Sequence, residues 1–485
     1  MKSTLKKSAD PTNLKGDLLV IPVGSPVALT GAASAADAAV GGAIARAVAD
    51  GEIDGKADSA AVFHAPQGSG WARVVVVGVG DGDLDGWRGA GEAAGNKAHA
   101  LKAQALALAP GDDAGAEQVT ALLEGLGTGA YRFERFKSGE RAPLAARKVT
   151  VASPAVTRAD LARADRIVAA VAGARDLVNT PANHLTPSDL AAHAQRLAEE
   201  KPGLTCAVMD AARLKKLGAG ALLAVAQGSD QPPKMIVLHH RPAKPATDEV
   251  LAIVGKAVTF DSGGISIKPS GGMEEMKMDM GGGAAALEAV ALIAALDLPV
   301  EVMAVVPATE NLLNGRAMKP GDVVTAMNGK TVEVINTDAE GRLILADALT
   351  WAARNGATRI VDLATLTGAV VVALGEVYAG LFGSDEDWTA AVRRAGERSG
   401  DLVWPLPMHP RYDPLIRSKV ADLSNSAAKR QAGPVYAAQF LREFTDDLPW
   451  CHLDIAGTGM VGGAGTGFGV RLLLNLAEEL ATGGA

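Results

Sequence analysis

Cysteine is nearly absent: Cys206 and Cys451 are the only two in 485 residues. Two thiols so far apart build neither a disulfide framework nor a thiolate-rich metal centre, and a reducing compartment suits such a chain. Histidine is almost as scarce, with eight residues and no HExxH or HxH pair, so any metal site must lean on carboxylates. Aromatic residues make up 4%, and 47 basic residues face 55 acidic ones for a net charge of −8. A platform for single-stranded nucleic acid needs aromatics on a basic surface, so nucleic acid is not an expected partner. Lysines mark the first 23 residues, but no apolar core with a small-residue cleavage site follows, which argues against a secretory signal. The longest strongly apolar run, around Leu363–Leu374, is shorter than the ~18 residues of a membrane span, so no membrane is expected and the cytoplasm is the expected location.

What remains is ordinary globular composition, 48% hydrophobic and 21% charged, with length for two or three domains. Residues 1–155 alternate β-branched runs (Leu18–Val23, Val74–Val77, Lys148–Val151) with Ala-rich stretches of helical character, Ala35–Ala49 and Ala93–Leu108. That alternation predicts a smaller N-terminal α/β domain. Apolar residues three and four apart over Thr157–Leu177 predict an amphipathic helix, placed as a link over 156–179. Another helix should start at Thr186, with Pro187 in its first position. Residues 180–485 form a larger α/β domain whose strands, Val250–Val254, Val302–Val306, Val332–Ile335 and Arg359–Leu363, are apolar on both faces. Such strands indicate a mixed or mostly parallel sheet covered by helices.

Three segments that follow predicted strands carry the chemistry, where open α/β sheets present ligand sites. Residues 254–285 hold Lys256, Asp261, Lys268 and Asp279 among many glycines. Residues 335–349 pack Asp338, Glu340 and Arg342 ahead of an apolar helix, and residues 362–369 offer hydroxyls and backbone. If these strand ends converge, four carboxylates could hold two divalent cations, which would also relieve their mutual repulsion. Beside two dications, Lys256 could give its nitrogen to a metal while Lys268 stays protonated and polarises a carbonyl; Arg342 suits a small oxyanion. Taken singly, an Asp-x-Glu-x-Arg before a helix is ordinary capping, and the glycines at 263–264, 271–272 and 281–283 mean tight turns or a phosphate nest. There is no GxxxxGK[ST], so a P-loop is excluded. A two-metal phosphoesterase is one reading of such a site, and a binding protein that works through the first domain, DNA included, is another.

Several local signals compete. DGDLDGWRGAGE, Asp81–Glu92, satisfies the calcium-loop pattern, yet it follows a valine strand rather than a helix, and a strand-to-helix turn is the preferred reading. His239 and His240 are read as core or surface residues rather than ligands, and a catalytic thiol is not expected at Cys451, which adjoins a strand with His452.

NTDAEGRL, Asn336–Leu343, resembles the signature of the leucyl (cytosol) aminopeptidase family of two-metal exopeptidases. VGKAVTFDSGGISIKP with MKMDMGG behind it resembles the other metal-binding segment of that family, and the likeness extends from ARDLVNTPANHLTP through DLATLTGA and DIAGTG to GTGFGVRLLL. The resemblance implies Lys256, Asp261, Asp279, Asp338 and Glu340 as ligands of two zinc or manganese ions, with Asp261 and Glu340 shared between them. It implies Lys268 on the scissile carbonyl, and Arg342 anchoring a bicarbonate as general base with help from the backbone at Leu366. Met276, Thr365 and Gly368 would line the pocket for an apolar N-terminal side chain such as leucine. Peptide substrates and a hexamer of two stacked trimers follow in the same way. The chain departs from the family pattern at Ala257, usually Gly, at Gly283, commonly Ala, and at Ser426, Ala427 and Ala428, in a stretch usually richer in Gly.

Overall fold

Valine- and leucine-rich runs become the strands of two separate sheets, and in each the chain alternates strand with helix. The computed structural model describes residues 1–7, 11–139, 145–201, 203–427 and 431–483. These fall into two units, Met1–Ala172 and Gly173–Ala485.

In the first unit the order is β1 (Lys2–Lys6), β2 (Gly16–Val23), α1 (Gly31–Ala39), α2 (Ala43–Ala49), β3 (Ala60–His64), β4 (Trp71–Gly78), α3 (Leu84–Ala100), β5 (Ala105–Leu108), α4 (Ala116–Ala130) and β6 (Lys148–Ala152). The strands form one sheet in the order β1-β6-β5-β2-β4-β3, parallel except for the edge strand β3. Alternation along β2 sends Leu18 and Val20 into the core on one face and Leu19 and Ile21 into the core on the other. Helix α5 (Arg158–Asn179) matches the amphipathic pattern from Thr157, and the division between the units falls inside it.

Two Ala-rich expectations need correction. The helical stretch Ala35–Ala49 is broken into α1 and α2, because Gly41 and Gly42 take left-handed φ of 69° and 75°. The stretch Ala93–Leu108 ends as helix at Ala100, turns through Lys102 at φ 54°, and becomes strand β5 in the middle of the sheet. Alanine's helix preference yields there to burial of Leu106 and Leu108 between neighbouring strands. The calcium-loop pattern resolves into a turn: Asp83 caps α3 through the Gly86 N–H at 2.7 Å, so the helix begins inside the twelve residues an ion would need.

The second unit contains α6 (Pro187–Glu199), β7 (Leu204–Met209), α7 (Ala211–Leu217), α8 (Gly220–Ala226), β8 (Lys234–His240), β9 (Val250–Gly255), β10 (Ala257–Asp261), α9 (Gly281–Ala295) and β11 (Glu301–Asn311). It continues with β12 (Val323–Thr325), β13 (Thr331–Glu333), α10 (Gly341–Arg354), β14 (Arg359–Ala364), α11 (Gly368–Leu374), β15 (Ala379–Gly383), α12 (Glu386–Ser399), β16 (Val403–Pro405), β17 (Leu423–Ser424), α13 (Gly433–Arg442), β18 (Trp450–Asp454) and α14 (Val470–Ala481). Thr186 and Asp189 make a capping box for α6, with Pro187 first in the helix as expected. Among the described residues the main sheet has nine strands, ordered β16-β15-β18-β14-β9-β11-β8-β7 with β10 beside β11. Its centre, β18-β14-β9-β11, is parallel, and the flanking pairs β11-β8, β8-β7 and β15-β18 are antiparallel, so the sheet is mixed.

The strand expected at Val332–Ile335 lies outside this sheet. Only Thr331–Glu333 is extended, in a three-stranded sheet with β12 and β17, and its alternating burial shows one face covered rather than two. The stretch Met273–Ala295, long and apolar enough to cross a membrane with a mean hydropathy of 1.4, has 89% of that window buried inside the protein. It is core, and its glycines explain why: a Cβ on Gly282 would lie 2.0 Å from the Leu363 carbonyl oxygen, so the start of α9 can press against β14 only without a side chain. The triplet at 281–283 is therefore neither a turn nor a nest but the first turn of α9, packed on the sheet.

Candidate active site

The carboxyl ends of the parallel strands bring the three chemical segments together. Lys256 follows β9, Asp261 ends β10, Asn311 ends β11 and Thr365 follows β14. Asp279 precedes α9, while Asp338 and Glu340 precede α10. Lys256 Nζ donates to Asp279 Oδ1 at 2.7 Å and to the Thr365 carbonyl at 3.0 Å, and pairs with Glu340 Oε1 at 2.9 Å. Its stem fills the space that a Cβ on Gly341 would take, at 2.6 Å from Cε. Lys268 Nζ pairs with Asp261 Oδ2 at 2.8 Å and with Asp338. Oxygens of Asp261, Asp338 and Glu340 lie within 4.8 Å of one another.

Charge is concentrated and poorly hydrated here. Asp261, Asp279, Glu340 and Lys256 are all at most 4% exposed. Burial, and next the neighbouring Glu340, push the Asp261 carboxyl up to about 6 against the pull of both lysines. Burial likewise holds Asp279 well above the usual carboxylate range and raises Asp338. Glu340 is also penalised by burial, yet Lys256 and Lys268 outweigh this and lower it. For Lys256 burial disfavours the charge, but Asp279, Glu340 and Asp261 hold the ammonium above its ordinary value. The raised carboxyl pKa values come first from burial and only then from the neighbouring acids; four carboxylates against two ammonium groups leave an excess of negative charge. A divalent cation relieves it, and the buried Asp279 Oδ2, which has no hydrogen-bond partner, is a donor left over for one.

Arg342 sits at the start of α10, 4% exposed, with Nη1 donating to the Asn425 carbonyl at 2.7 Å, its Cζ 5.0 Å from the Tyr436 ring centroid, and Nε buried without a partner. The Leu366 N–H is already committed to Asp454 Oδ1 at 3.2 Å, and Asp454 also takes the Thr367 N–H at 3.3 Å and the Thr367 hydroxyl at 2.6 Å. Thr365 is buried, its hydroxyl on Asp279 Oδ1 at 2.7 Å. Met276 is half-buried on the turn leading to Asp279, and Gly368 opens α11 at the surface.

Three residues beyond the expected set support the site, one of them, Asp454, at the start of the DIAGTG stretch that carries the family likeness. Asn311 Nδ2 donates to Asp261 Oδ1 at 2.8 Å and to the Thr337 carbonyl at 3.0 Å, with Glu340 Oε2 at 3.4 Å. Asn425 accepts from the Ile335 and Asn336 N–H groups through its side chain, at 2.8 and 3.3 Å, and so ties the Asp338–Glu340 loop in place. Asp454 orders the backbone beside Thr365. Each lies far along the chain from the acids it supports, and only the position of Asn311 at a strand end hints at its part.

The two departures at 257 and 283 explain each other. A Cβ on Gly283 would lie 2.8 Å from the Ala257 Cβ, so one methyl occupies the space where the family pattern places the other. Ser426 and Ala427 are half-buried, whereas Ala428 lies outside the described residues. Elsewhere, His239 pairs with Glu301 at 2.8 Å, His240 with the Leu298 carbonyl at 3.0 Å and buried His452 with Asp362 at 2.6 Å. Burial pushes the Cys451 thiol up to about 12, which leaves it inert.

The catalytic-domain model of the cytosol aminopeptidase family matches residues 172–474, and the N-terminal-domain model of that family matches residues 20–140. The chain belongs to the cytosol aminopeptidase family. Members of this family are metal-dependent aminopeptidases, and this chain is a peptidase hydrolase whose acidic cluster suits divalent metal. A probable cytosol aminopeptidase of Syntrophotalea carbinolica is 47% identical over 377 residues, 75% of either chain. Another from Chlorobaculum tepidum is 44% identical over 451 residues, 86% of this chain and 88% of that one. Among solved structures, a tomato leucine aminopeptidase mutant superposes with a TM-score of 0.89 at 34% identity, covering 98% of this chain and 96% of its own. The bottromycin maturation enzyme BotP, in complex with Mn, gives 0.84 at 34% identity, covering 96% and 99%.

Proposed function

We propose that this cytosol aminopeptidase removes an apolar N-terminal residue, leucine foremost, from peptides in the cytoplasm, using two zinc or manganese ions. Lys256, Asp261, Asp279, Asp338 and Glu340 would hold the ions. What carries the reading is the convergence of four carboxylates and two lysines, from the ends of β9 and β10 and the loops that lead into α9 and α10, into one largely buried and net negative cluster. When bound, the ions supply a Lewis acid for the peptide carbonyl and a water acidified enough to attack it at neutral pH.

The chain's own groups divide the remaining tasks. Lys268, less buried than Lys256 and kept charged by Asp261 and Asp338 against burial, donates a hydrogen bond to the scissile carbonyl. Arg342 keeps one buried N–H free for an oxyanion and would hold a bicarbonate there, which would supply the general base that this chain's own side chains lack. That anion would depend on Arg342 more than on the Leu366 N–H, which Asp454 already occupies. Met276, Thr365 and Gly368 line the site for the departing residue's side chain. A homo-hexamer belongs to the same reading and rests on the family resemblance.

The test is release of leucine from leucyl-p-nitroanilide, run beside other aminoacyl anilides and phosphate esters. Chelation should abolish release, and Asp261→Ala and Glu340→Ala should do so in chains that still fold. Undiminished activity in metal-free protein, or turnover of the phosphate esters alone, would overturn the proposal.

A further inference from the structure

Among the described residues Arg342 is a buried cation with no carboxylate partner: it is 4% exposed and forms no ion pair. The two lysines of the site differ from it, Lys256 being held between Asp279 and Glu340 and Lys268 between Asp261 and Asp338. A charge so poorly hydrated needs a counter-charge, and a bound oxyanion would bring one. The protein itself gives Arg342 two neutral contacts. Nη1 donates to the Asn425 carbonyl at 2.7 Å, and Cζ lies over the Tyr436 ring, 5.0 Å from its centroid.

The ring comes from an element that touches both sides of the site. Tyr436 lies one turn into α13, beyond Ser426–Ala428, where the chain departs from the family pattern. Helix α13 packs on α10, which carries Arg342 in its first turn, and on α11. A Cβ on Gly433 would lie 3.1 Å from the Ala369 Cβ, so the start of α13 is pressed against the residue that follows Gly368. Gly433 and Tyr436 are three apart, and one face of the helix therefore meets the start of α11 and the arginine. Burial alone would raise the Tyr436 phenol, yet it lies below its ordinary value, with the Arg342 charge the largest opposing influence.

We propose that Tyr436 is a positioning residue: its ring and the Asn425 carbonyl fix the plane of the Arg342 guanidinium, and so set how tightly this chain holds its oxyanion. This role rests on the reading that Arg342 binds a bicarbonate. A cation over an aromatic face in a desolvated setting is worth enough to change anion affinity about tenfold, and either tyrosine or phenylalanine provides that face. Beside an aliphatic side chain the guanidinium is free to turn, and the cost of ordering it falls on anion binding.

The experiment uses the manganese-loaded full chain, stripped of bicarbonate, with sodium bicarbonate added back. Two quantities are followed: hydrolysis of leucyl-p-nitroanilide, and the near-ultraviolet difference absorption of tyrosine, of which the chain has four. In Tyr436→Leu the bicarbonate concentration for half-maximal activation should rise about tenfold, with KM for the anilide and bound manganese at wild-type levels. Activity lost at low bicarbonate should return as bicarbonate is raised, which also shows that the variant folds. Tyr436→Phe should respond to bicarbonate within about threefold of wild type, yet lose the tyrosine difference signal that bicarbonate induces in the wild type. A wild-type bicarbonate response in Tyr436→Leu, or an undiminished difference signal in Tyr436→Phe, would overturn the proposal. The second comparison decides the matter even where Tyr436→Leu does not fold. A wild-type chain indifferent to bicarbonate in both measurements would overturn the reading of Arg342 and this role with it, so the two failures are told apart.

Discussion

The pair Ala257 and Gly283 offers a quantitative check on the packing behind the metal-site lysine. Gly283→Ala alone puts a methyl 2.8 Å from both Ala257 Cβ and Val306 Cγ1. Ordinary carbon contacts are ~3.5–4.0 Å, and forcing an extra methyl into a filled core costs about 1–3 kcal/mol. Alanine's helix preference returns about 1 kcal/mol of that, since position 283 lies in the first turn of α9. Ala257→Gly alone empties a fully buried methyl site, worth about 0.8 kcal/mol, and adds glycine's strand penalty of roughly 0.5–1 kcal/mol. Together the changes move one methyl from the strand to the helix, so the double variant should regain part of the stability, the contact with Val306 remaining, with a coupling of about 1–2 kcal/mol between the sites. Activity should follow, because the Gly283 N–H donates to the Lys256 carbonyl at 2.7 Å and a displaced α9 would shift Lys256. Urea unfolding of the four proteins, followed by tryptophan fluorescence with activity in parallel, measures the cycle. Additive effects within about 0.5 kcal/mol would refute the shared-space argument.

Asn311→Ala removes the amide that orients Asp261 and should cost about 10–100-fold in metal affinity or activity, read by zinc titration and kinetics. Arg342→Lys keeps the charge but loses the forked guanidinium, and kcat should fall while metal content, measured by atomic emission, stays at the wild-type level. Burial pushes Asp347 up to about 7 although it accepts the Leu222 and Met327 N–H groups at 2.8 and 2.7 Å. The folded chain then binds a proton more readily than the unfolded one, so this group's contribution is full below pH ~4 and is lost as pH rises toward 7. Relative to wild type, Asp347→Asn should therefore gain stability across that window, and parallel denaturation curves at pH 5 and pH 7.5 test the sign.

Much of the fold and of the site is legible in the order of residues alone. Strands apolar on both faces announce covered parallel sheets, and acids placed just after such strands announce a site at their carboxyl ends. Where the reading fails, the failures share a cause. Ala105–Leu108 looks helical because alanine dominates locally, and only its neighbours in the sheet make it a strand. Val332–Ile335 looks like a buried strand, yet its pairing is with β12 and β17 outside the main sheet. Gly282 is explained by contact with Leu363, some eighty residues away, and Gly283 by contact with Ala257 and Val306, not by their own conformation. The roles of Asn311, Asn425 and Asp454 go unread for the same reason, even with Asp454 inside the DIAGTG likeness: their significance lies in partners distant along the chain.

The central claim is that the buried acids exist to hold a pair of cations. Anomalous diffraction from crystals of the full chain soaked in manganese measures this directly. The account predicts two ions about 3–4 Å apart among Asp261, Asp279, Asp338 and Glu340, with Asp279 Oδ2 bound to one of them. A fully active crystal form with no ion there, its lysines still paired with the acids, would contradict it.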